Sequence, residues 1–84
     1  MGKLEKRIAL ILSGAADRNI PFDDICFVLE RLGFTRRIKG DHNIFVKPEV
    51  EEILNLQPLG SKAKAYQVRQ VRSVLLKYKL GASK

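Results

Sequence analysis

The side chains best suited to phosphate and proton chemistry, Arg37, Lys39 and His42, lie in one short segment of the chain. His42 is the only histidine, and an unperturbed imidazole changes its charge near neutral pH, so it can serve as an acid or a base. Two runs rich in β-branched and aromatic residues flank Gly40 and Asp41, a pattern typical of a β-hairpin. Such a hairpin would place the imidazole and the basic residues of its first arm, Arg36, Arg37 and Lys39, around one tight turn. The alternative is a hairpin-end histidine with only a structural hydrogen bond.

Other kinds of catalytic site are poorly represented in the sequence. One histidine and one cysteine do not make a zinc site of ordinary composition. Glu49, Glu51 and Glu52 fall in one predicted loop, where solvated carboxylates are more usual than a glycosidase pair. The glycines lack phosphate-loop or dinucleotide-binding spacing. Ribonuclease chemistry needs the least machinery, because RNA carries its own nucleophile, the 2′-OH, and one acid or base contributes roughly 10²–10⁴-fold. We therefore expect no metal and no cofactor.

The formal charge of +7 is concentrated in the C-terminal segment. Basic and acidic side chains balance over residues 1–34 and again over residues 35–60, whereas residues 61–84 hold seven basic side chains and no acidic one. A localised basic face on a small domain favours a polyanionic partner, most often RNA or DNA. The candidate backbone-binding residues are Lys62, Lys64, Arg69 and Arg72. The alternative is a helix whose charges only keep it soluble.

The length of 84 residues predicts one small domain with a modest core. Cys26 has no partner for a disulfide within the chain and lies in an apolar helical pattern, so we expect a small buried hydrophobic residue. An unpaired cysteine suits a reducing compartment. The apolar run over residues 8–12 is too short to span a membrane, and no targeting segment is visible. A cytoplasmic protein is expected.

Apolar residues at helical spacing predict three helices, over residues 3–14, 21–32 and 65–79. Alternation and turn residues predict strands over 34–39, 42–47 and 53–57, with an acidic loop before the third strand and a basic loop over 60–65. The order of elements favours an α+β domain with a three-stranded antiparallel sheet and the helices on one face. The phase of the second strand stays open. One face would carry His42, Ile44 and Val46, and the other would carry Asn43, Phe45 and Lys47.

The hairpin RIKGDHNIF, the Leu-rich strand after it and the C-terminal SKAKAYQVRQVRSVLLKYKL together resemble the HicA family. These are small toxins of type II toxin–antitoxin pairs, described as mRNA interferases. The family hairpin reads Arg-x-Lys-Gly-Ser-His, then a polar residue or a second histidine, then Ile-Phe. The matching positions are Arg37, Lys39, Gly40, His42, Ile44 and Phe45. The resemblance covers about residues 21–80 and leaves residues 1–20 as an added N-terminal helix and connection.

The resemblance implies a fold like the double-stranded RNA-binding domain, α-β-β-β-α. It also implies cleavage of mRNA with His42 as the catalytic residue, and a HicB-like antitoxin that covers the active face. Under this hypothesis Arg37 and Lys39 would hold the scissile phosphate.

Three positions depart from the family. Asp41 stands where the family usually has serine, Asn43 where a second histidine is common, and Ala65 where close relatives often carry proline. A carboxylate beside the imidazole would favour imidazolium and repel a phosphate. The rival interpretations are therefore a non-catalytic RNA-binding module on the same fold and a protein that acts mainly by binding its antitoxin.

Overall fold

The computed structural model describes residues 2–81 of the chain, which form three helices, a three-stranded sheet and a small two-stranded hairpin. The elements are α1 (Lys3–Ser13), α2 (Phe22–Arg31), β1 (Thr35–Lys39), β2 (His42–Lys47), β3 (Val50–Leu56), β4 (Pro58–Leu59), β5 (Lys62–Ala63) and α3 (Ala65–Lys77). The predicted α+β class, the three helices and the antiparallel sheet are confirmed. Lys84, counted above among the C-terminal cations, lies outside the described residues.

The sheet is a meander in the order β1-β2-β3, with both pairs of neighbouring strands antiparallel. Gly40 and Asp41 connect β1 to β2, and Gly40 has a φ of 62° that glycine adopts without strain. Lys39 lies directly opposite His42 across this turn. Pro48 and Glu49 connect β2 to β3, so β2 ends before the proline as predicted.

The third strand is longer than predicted, because Glu51 and Glu52 belong to β3 and not to an acidic loop. Glu52 lies on the same face of the strand as Leu54. There its carboxylate accepts hydrogen bonds from Lys77 Nζ at 2.9 Å and from the Tyr78 hydroxyl at 2.8 Å. These partners, Lys77 first, lower the pKa of Glu52. The strand can carry a carboxylate toward the helices because the end of α3 neutralises it.

One hydrophobic core joins all three helices to one face of the sheet. Its buried apolar side chains are Ile8, Ile11, Ile20, Phe22, Ile25, Cys26, Val28, Leu29, Phe34, Phe45, Leu54, Leu56, Ala63, Val68, Val71, Val74 and Leu75. The sheet contributes Phe45, Leu54 and Leu56, so the helices cover the face to which these residues point. Cys26 is buried as expected, and burial raises the pKa of its thiol to about 11. This placement settles the phase of β2 and leaves His42 on the opposite, open face.

The predicted basic loop over residues 60–65 is instead a β-hairpin made of β4 and β5. It is held by the connection between α1 and α2, because Ala63 N–H donates to Ile20 O and Phe22 N–H donates to Ser61 O, both at 2.9 Å. Backbone groups of the connection thus find partners that the sequence did not indicate.

The third helix ends at Lys77, two residues before the predicted end and well before Gly81. Lys79 has a φ of 56°, in the left-handed region, and Leu80 N–H bonds back to Leu75 O at 2.9 Å. This closing bond satisfies a terminal carbonyl of α3 without a glycine at the reversal. Within residues 2–81, no helix is long and apolar enough to cross a membrane.

Candidate functional site on the open sheet face

The sheet face that the helices leave uncovered combines the only imidazole with cationic and apolar side chains. Strand alternation places on it Thr35, Arg37 and Lys39 from β1, His42, Ile44 and Val46 from β2, and Glu51, Ile53 and Asn55 from β3. Except for the half-buried Ile44, these residues are exposed. The predicted residues Arg37, Lys39 and His42 are therefore brought together on one surface.

The His42 imidazole is oriented by a hydrogen bond to Asn55 on the neighbouring strand. His42 Nδ1 lies 3.0 Å from Asn55 Oδ1. A carbonyl oxygen can only accept, so Nδ1 carries the hydrogen in this pair. In the neutral imidazole the other ring nitrogen, Nε2, then keeps its lone pair, and the side chain is 48% exposed. The arrangement gives an imidazole that can accept a proton at Nε2 from a molecule lying on the sheet.

Asn55 is itself held by the first turn of α3. The amide of Gln67 donates from Nε2 to Asn55 O at 3.5 Å and accepts from Gln57 N–H at 3.2 Å. Gln67 is buried, with 4% of its surface exposed, so these bonds fix the end of β3 against the helix. Sequence reasoning missed both residues. The available signal for Asn55 was its position between two leucines, which directs it to the face opposite the core.

Arg37 and Lys39 supply the positive charge beside the imidazole. The strand register pairs Lys39 with His42 and Arg37 with Ile44, so directly opposite Cβ atoms lie about 5 Å apart. Both side chains are exposed, and among residues 2–81 neither forms an ion pair. They are free to bind an anion close to His42.

Asp41 brings a negative charge to the same place. Its Oδ1 lies 4.0 Å from His42 Nε2, and its Oδ2 accepts from Gln57 Nε2 at 3.1 Å. The Asp41 side chain is 74% exposed, so water screens much of this charge. Asp41 thus places a carboxylate beside His42 Nε2, and Gln57 holds one of its oxygens.

Arg36 and Asn43 face the other side of the sheet and do not belong to this surface. Asn43 is 6% exposed, and its Oδ1 accepts from Arg36 Nε at 3.1 Å and from Nη2 at 2.8 Å. Arg36 also lies 3.6 Å from Glu30 and sits over the ring of Phe45. In the family that the sequence resembles, a second histidine is common at this position. Here the position is occupied by Asn43, which is buried and hydrogen-bonded.

The cations of the C-terminal segment lie on the helix side of the molecule. Lys62 donates to Asn19 Oδ1 at 3.0 Å, Lys64 precedes α3, and Arg69 is exposed on that helix. Arg72 is committed to other contacts: its guanidinium binds both oxygens of Asp17 at 2.9 and 3.0 Å and donates to Ile11 O. The six predicted RNA-binding residues thus form two groups, and Arg72 is already ion-paired.

Residues 2–81 contain no cluster of three or more His, Cys, Asp or Glu side chains able to hold a metal ion. Comparisons with protein-family models, with curated proteins and with solved structures gave no match.

Proposed function

We propose that this chain is an RNA endonuclease of the HicA toxin type, with His42 as its catalytic residue. The observation that supports it best is the His42–Asn55 hydrogen bond, which turns the Nε2 lone pair outward on a face that also carries Arg37 and Lys39. This geometry meets the minimum requirement for cleaving RNA, namely one proton acceptor beside a phosphate-binding pair of cations.

In the proposed reaction, His42 Nε2 takes the proton of a ribose 2′-OH. The 2′-oxygen attacks the adjacent phosphorus, and the bond from phosphorus to the 5′-oxygen breaks. The products are a 2′,3′-cyclic phosphate and a 5′-hydroxyl, whose proton comes from water or from Lys39. Arg37 and Lys39 bind the non-bridging oxygens, where positive charge stabilises the additional negative charge of the phosphorane. A single general base without a positioned general acid predicts slow turnover.

The second candidate is a non-catalytic RNA-binding module on the same scaffold. The observation that favours it is Asp41, whose carboxylate lies 4.0 Å from the nitrogen that must act. The same cations would bind RNA in both cases. The two candidates differ only in whether bound RNA is cut.

The test is incubation of purified protein with long single-stranded RNA, beside the His42→Ala variant. We expect the variant to lose at least about 10²-fold in cleavage rate. Its thermal midpoint should fall by less than about 4 °C, because a half-exposed side chain adds little to the core. Undiminished cleavage by His42→Ala would refute the proposed mechanism. Binding without cleavage by the unsubstituted chain would favour the non-catalytic module.

The proposal extends to fold family and partner. The order of α2, the three strands and α3 supports a scaffold like the double-stranded RNA-binding domain, with α1 as an addition. A HicB-like antitoxin is the expected protein partner, and the cytoplasm, where mRNA is translated, is the expected place of action. Co-expression with a HicB-like protein should abolish cleavage if the two interact.

A further inference from the structure

A shallow cavity of about 210 Å³ lies on the open sheet face between β1 and β2. Four residues line it: Thr35, Arg37, Ile44 and Val46. They form two directly opposed cross-strand pairs, Thr35 with Val46 and Arg37 with Ile44. The β2 strand thus contributes two aliphatic side chains to the lining, and β1 contributes a hydroxyl and a planar guanidinium. The cavity is small, partly apolar and bordered by hydrogen-bond donors.

The cavity lies next to the candidate catalytic group on the same sheet face. On the same face, the next cross-strand pair beyond Arg37 and Ile44 is Lys39 with His42. Successive residues on one face of a strand lie roughly 7 Å apart. A phosphate bound beside His42 would therefore hold an attached nucleoside close to the cavity.

We propose that this cavity is a nucleobase subsite, which holds the base of a nucleotide next to the scissile phosphate. The inference rests on the proposed function and adds a determinant of substrate preference to it. The aliphatic side chains of Ile44 and Val46 pack against the base, and the flat face of the Arg37 guanidinium stacks on it while the in-plane N–H groups of Arg37 still bind the phosphate. The Thr35 hydroxyl hydrogen-bonds to the base edge, which is where discrimination between bases arises.

The size and charge of the cavity favour a base over a protein segment. A stable protein interface buries about 800 Å² on each partner, far more than a cavity lined by four side chains provides. The other strongly exposed aliphatic residue of this face, Ile53 with 62% of its surface exposed, lies on β3, across β2 from the cavity. Arg37 lines the cavity and Lys39 follows it on the same face of β1, and neither forms an ion pair within residues 2–81, so both can bind the phosphates of a strand.

The experiment measures binding without cleavage, using a 2′-O-methyl oligonucleotide and an abasic sugar-phosphate polymer of equal length. We expect the intact oligonucleotide to bind about tenfold more tightly, the effect of one stacked base. The double variant Ile44→Ala/Val46→Ala should bring the ratio of the two affinities, intact oligonucleotide over abasic polymer, close to one. It should leave the salt dependence of binding unchanged. Ile53→Ala is the matched control, since it removes an equally aliphatic side chain from the same face, and it should keep the ratio.

A second variant excludes a loss of folding as the explanation for weaker binding. Arg37→Lys keeps the charge and the core intact but removes the planar stacking group, so it should lower the ratio several-fold while preserving the salt dependence. Methyl resonances of Ile44 and Val46 should shift on addition of the oligonucleotide while those of Ile53 stay in place. A ratio that survives both substitutions would overturn the subsite. Shifts at all three residues that depend on protein concentration without RNA would also overturn it, because a second copy would then occupy the face.

The failure of this inference is distinguishable from failure of the proposed function. If both polymers bind with equal affinity, the base subsite is wrong and the endonuclease proposal stands. If neither polymer binds, both proposals are wrong.

Discussion

At the residue scale, Asn55 decides which nitrogen of His42 is the proton acceptor in the proposed reaction. The hydrogen bond from Nδ1 to Asn55 Oδ1 leaves Nε2 as the acceptor, and histidines whose second nitrogen is held in this way keep one tautomer and one orientation. We expect Asn55→Ala to lower the cleavage rate about tenfold with RNA affinity unchanged. Glu51→Ala, which alters the same strand and face without touching His42, is the matched control and should not lower the cleavage rate.

A carboxylate at the same position gives a sharper test of this role. In Asn55→Asp the acceptor is charged and stabilises the protonated imidazole. The base must lose that proton before it can act, so half-maximal cleavage should move to higher pH while the plateau rate is kept. A purely structural Asn55 would lower the rate of both variants and leave the pH profile in place, and this outcome would contradict the prediction.

In the proposed reaction, Asp41 is the residue that most directly opposes catalysis. Its carboxylate lies 4.0 Å from Nε2, and a phosphate held about 4 Å from that carboxylate would lose about 1 kcal/mol of binding in a well-hydrated setting. Asp41→Ser should therefore raise cleavage about fivefold at low salt, and the gain should shrink as salt screens the charge. Asp41→Asn should give a similar gain if charge alone matters. A fall in activity in both variants would show that Asp41 assists His42.

At the element scale, periodicity predicted most of the fold, and tertiary contacts determined the rest. The apolar stripes of the helices and the Gly40-Asp41 turn are local signals, and the structure confirms the elements that they predict. The start of β3 was missed because Glu52 is stabilised by Lys77 and Tyr78, which are distant in sequence.

In the candidate site, too, contacts between residues distant in sequence could not be predicted. Sequence placed Arg37, Lys39 and His42 near one turn, but it left the phase of β2 open. Without that phase, the pairing of His42 with Asn55 could not be derived. The ion pair of Arg72 could not be predicted either, because its partner Asp17 lies in the connection after α1 and nothing local in the sequence joins the two.

The Asp17–Arg72 pair fastens the N-terminal helix and its connection to α3. The hydrogen bonds from Arg72 lower the pKa of Asp17 below its usual 3.8. A carboxyl whose pKa is lower in the folded state stabilises the fold above its ordinary pKa, and this stabilisation is lost as the pH falls through the lowered value. We expect Asp17→Asn to reduce stability by about 1 kcal/mol at pH 7, a fall of about 4–8 °C in thermal midpoint.

Thermal unfolding of Asp17→Asn and of the unsubstituted chain, from neutral to strongly acidic pH, checks the direction of this pH dependence. The two midpoints should converge as the pH drops well below 4. Glu49→Gln, at the exposed turn before β3, is the control that should show little difference at any pH. A constant gap between Asp17→Asn and the unsubstituted chain would mean that the hydrogen bonds matter but the ionisation does not.

At the scale of the whole molecule, the positive charge is divided between two surfaces. Arg37 and Lys39 lie on the open sheet face, whereas Lys62, Lys64 and Arg69 lie on the helix side. The contact of Gln67 with Gln57 and Asn55 brings the first turn of α3 close to the end of β3 and the hairpin turn. A single strand of RNA that passes over this end of the molecule could meet both groups.

This path predicts the salt dependence of RNA binding. Five phosphate contacts should give a slope of log affinity against log salt of about −3.5, because each contact on a single strand contributes about 0.7. Arg37→Ala/Lys39→Ala should reduce the slope to about −2, and Lys62→Ala/Lys64→Ala/Arg69→Ala to about −1.4. Arg72→Ala should leave the slope unchanged, provided binding is measured below the unfolding temperature of that variant, because Arg72 is already bound to Asp17. An unchanged slope in the triple variant would confine the RNA to the open sheet face, and a flatter slope in Arg72→Ala would show that RNA displaces Asp17.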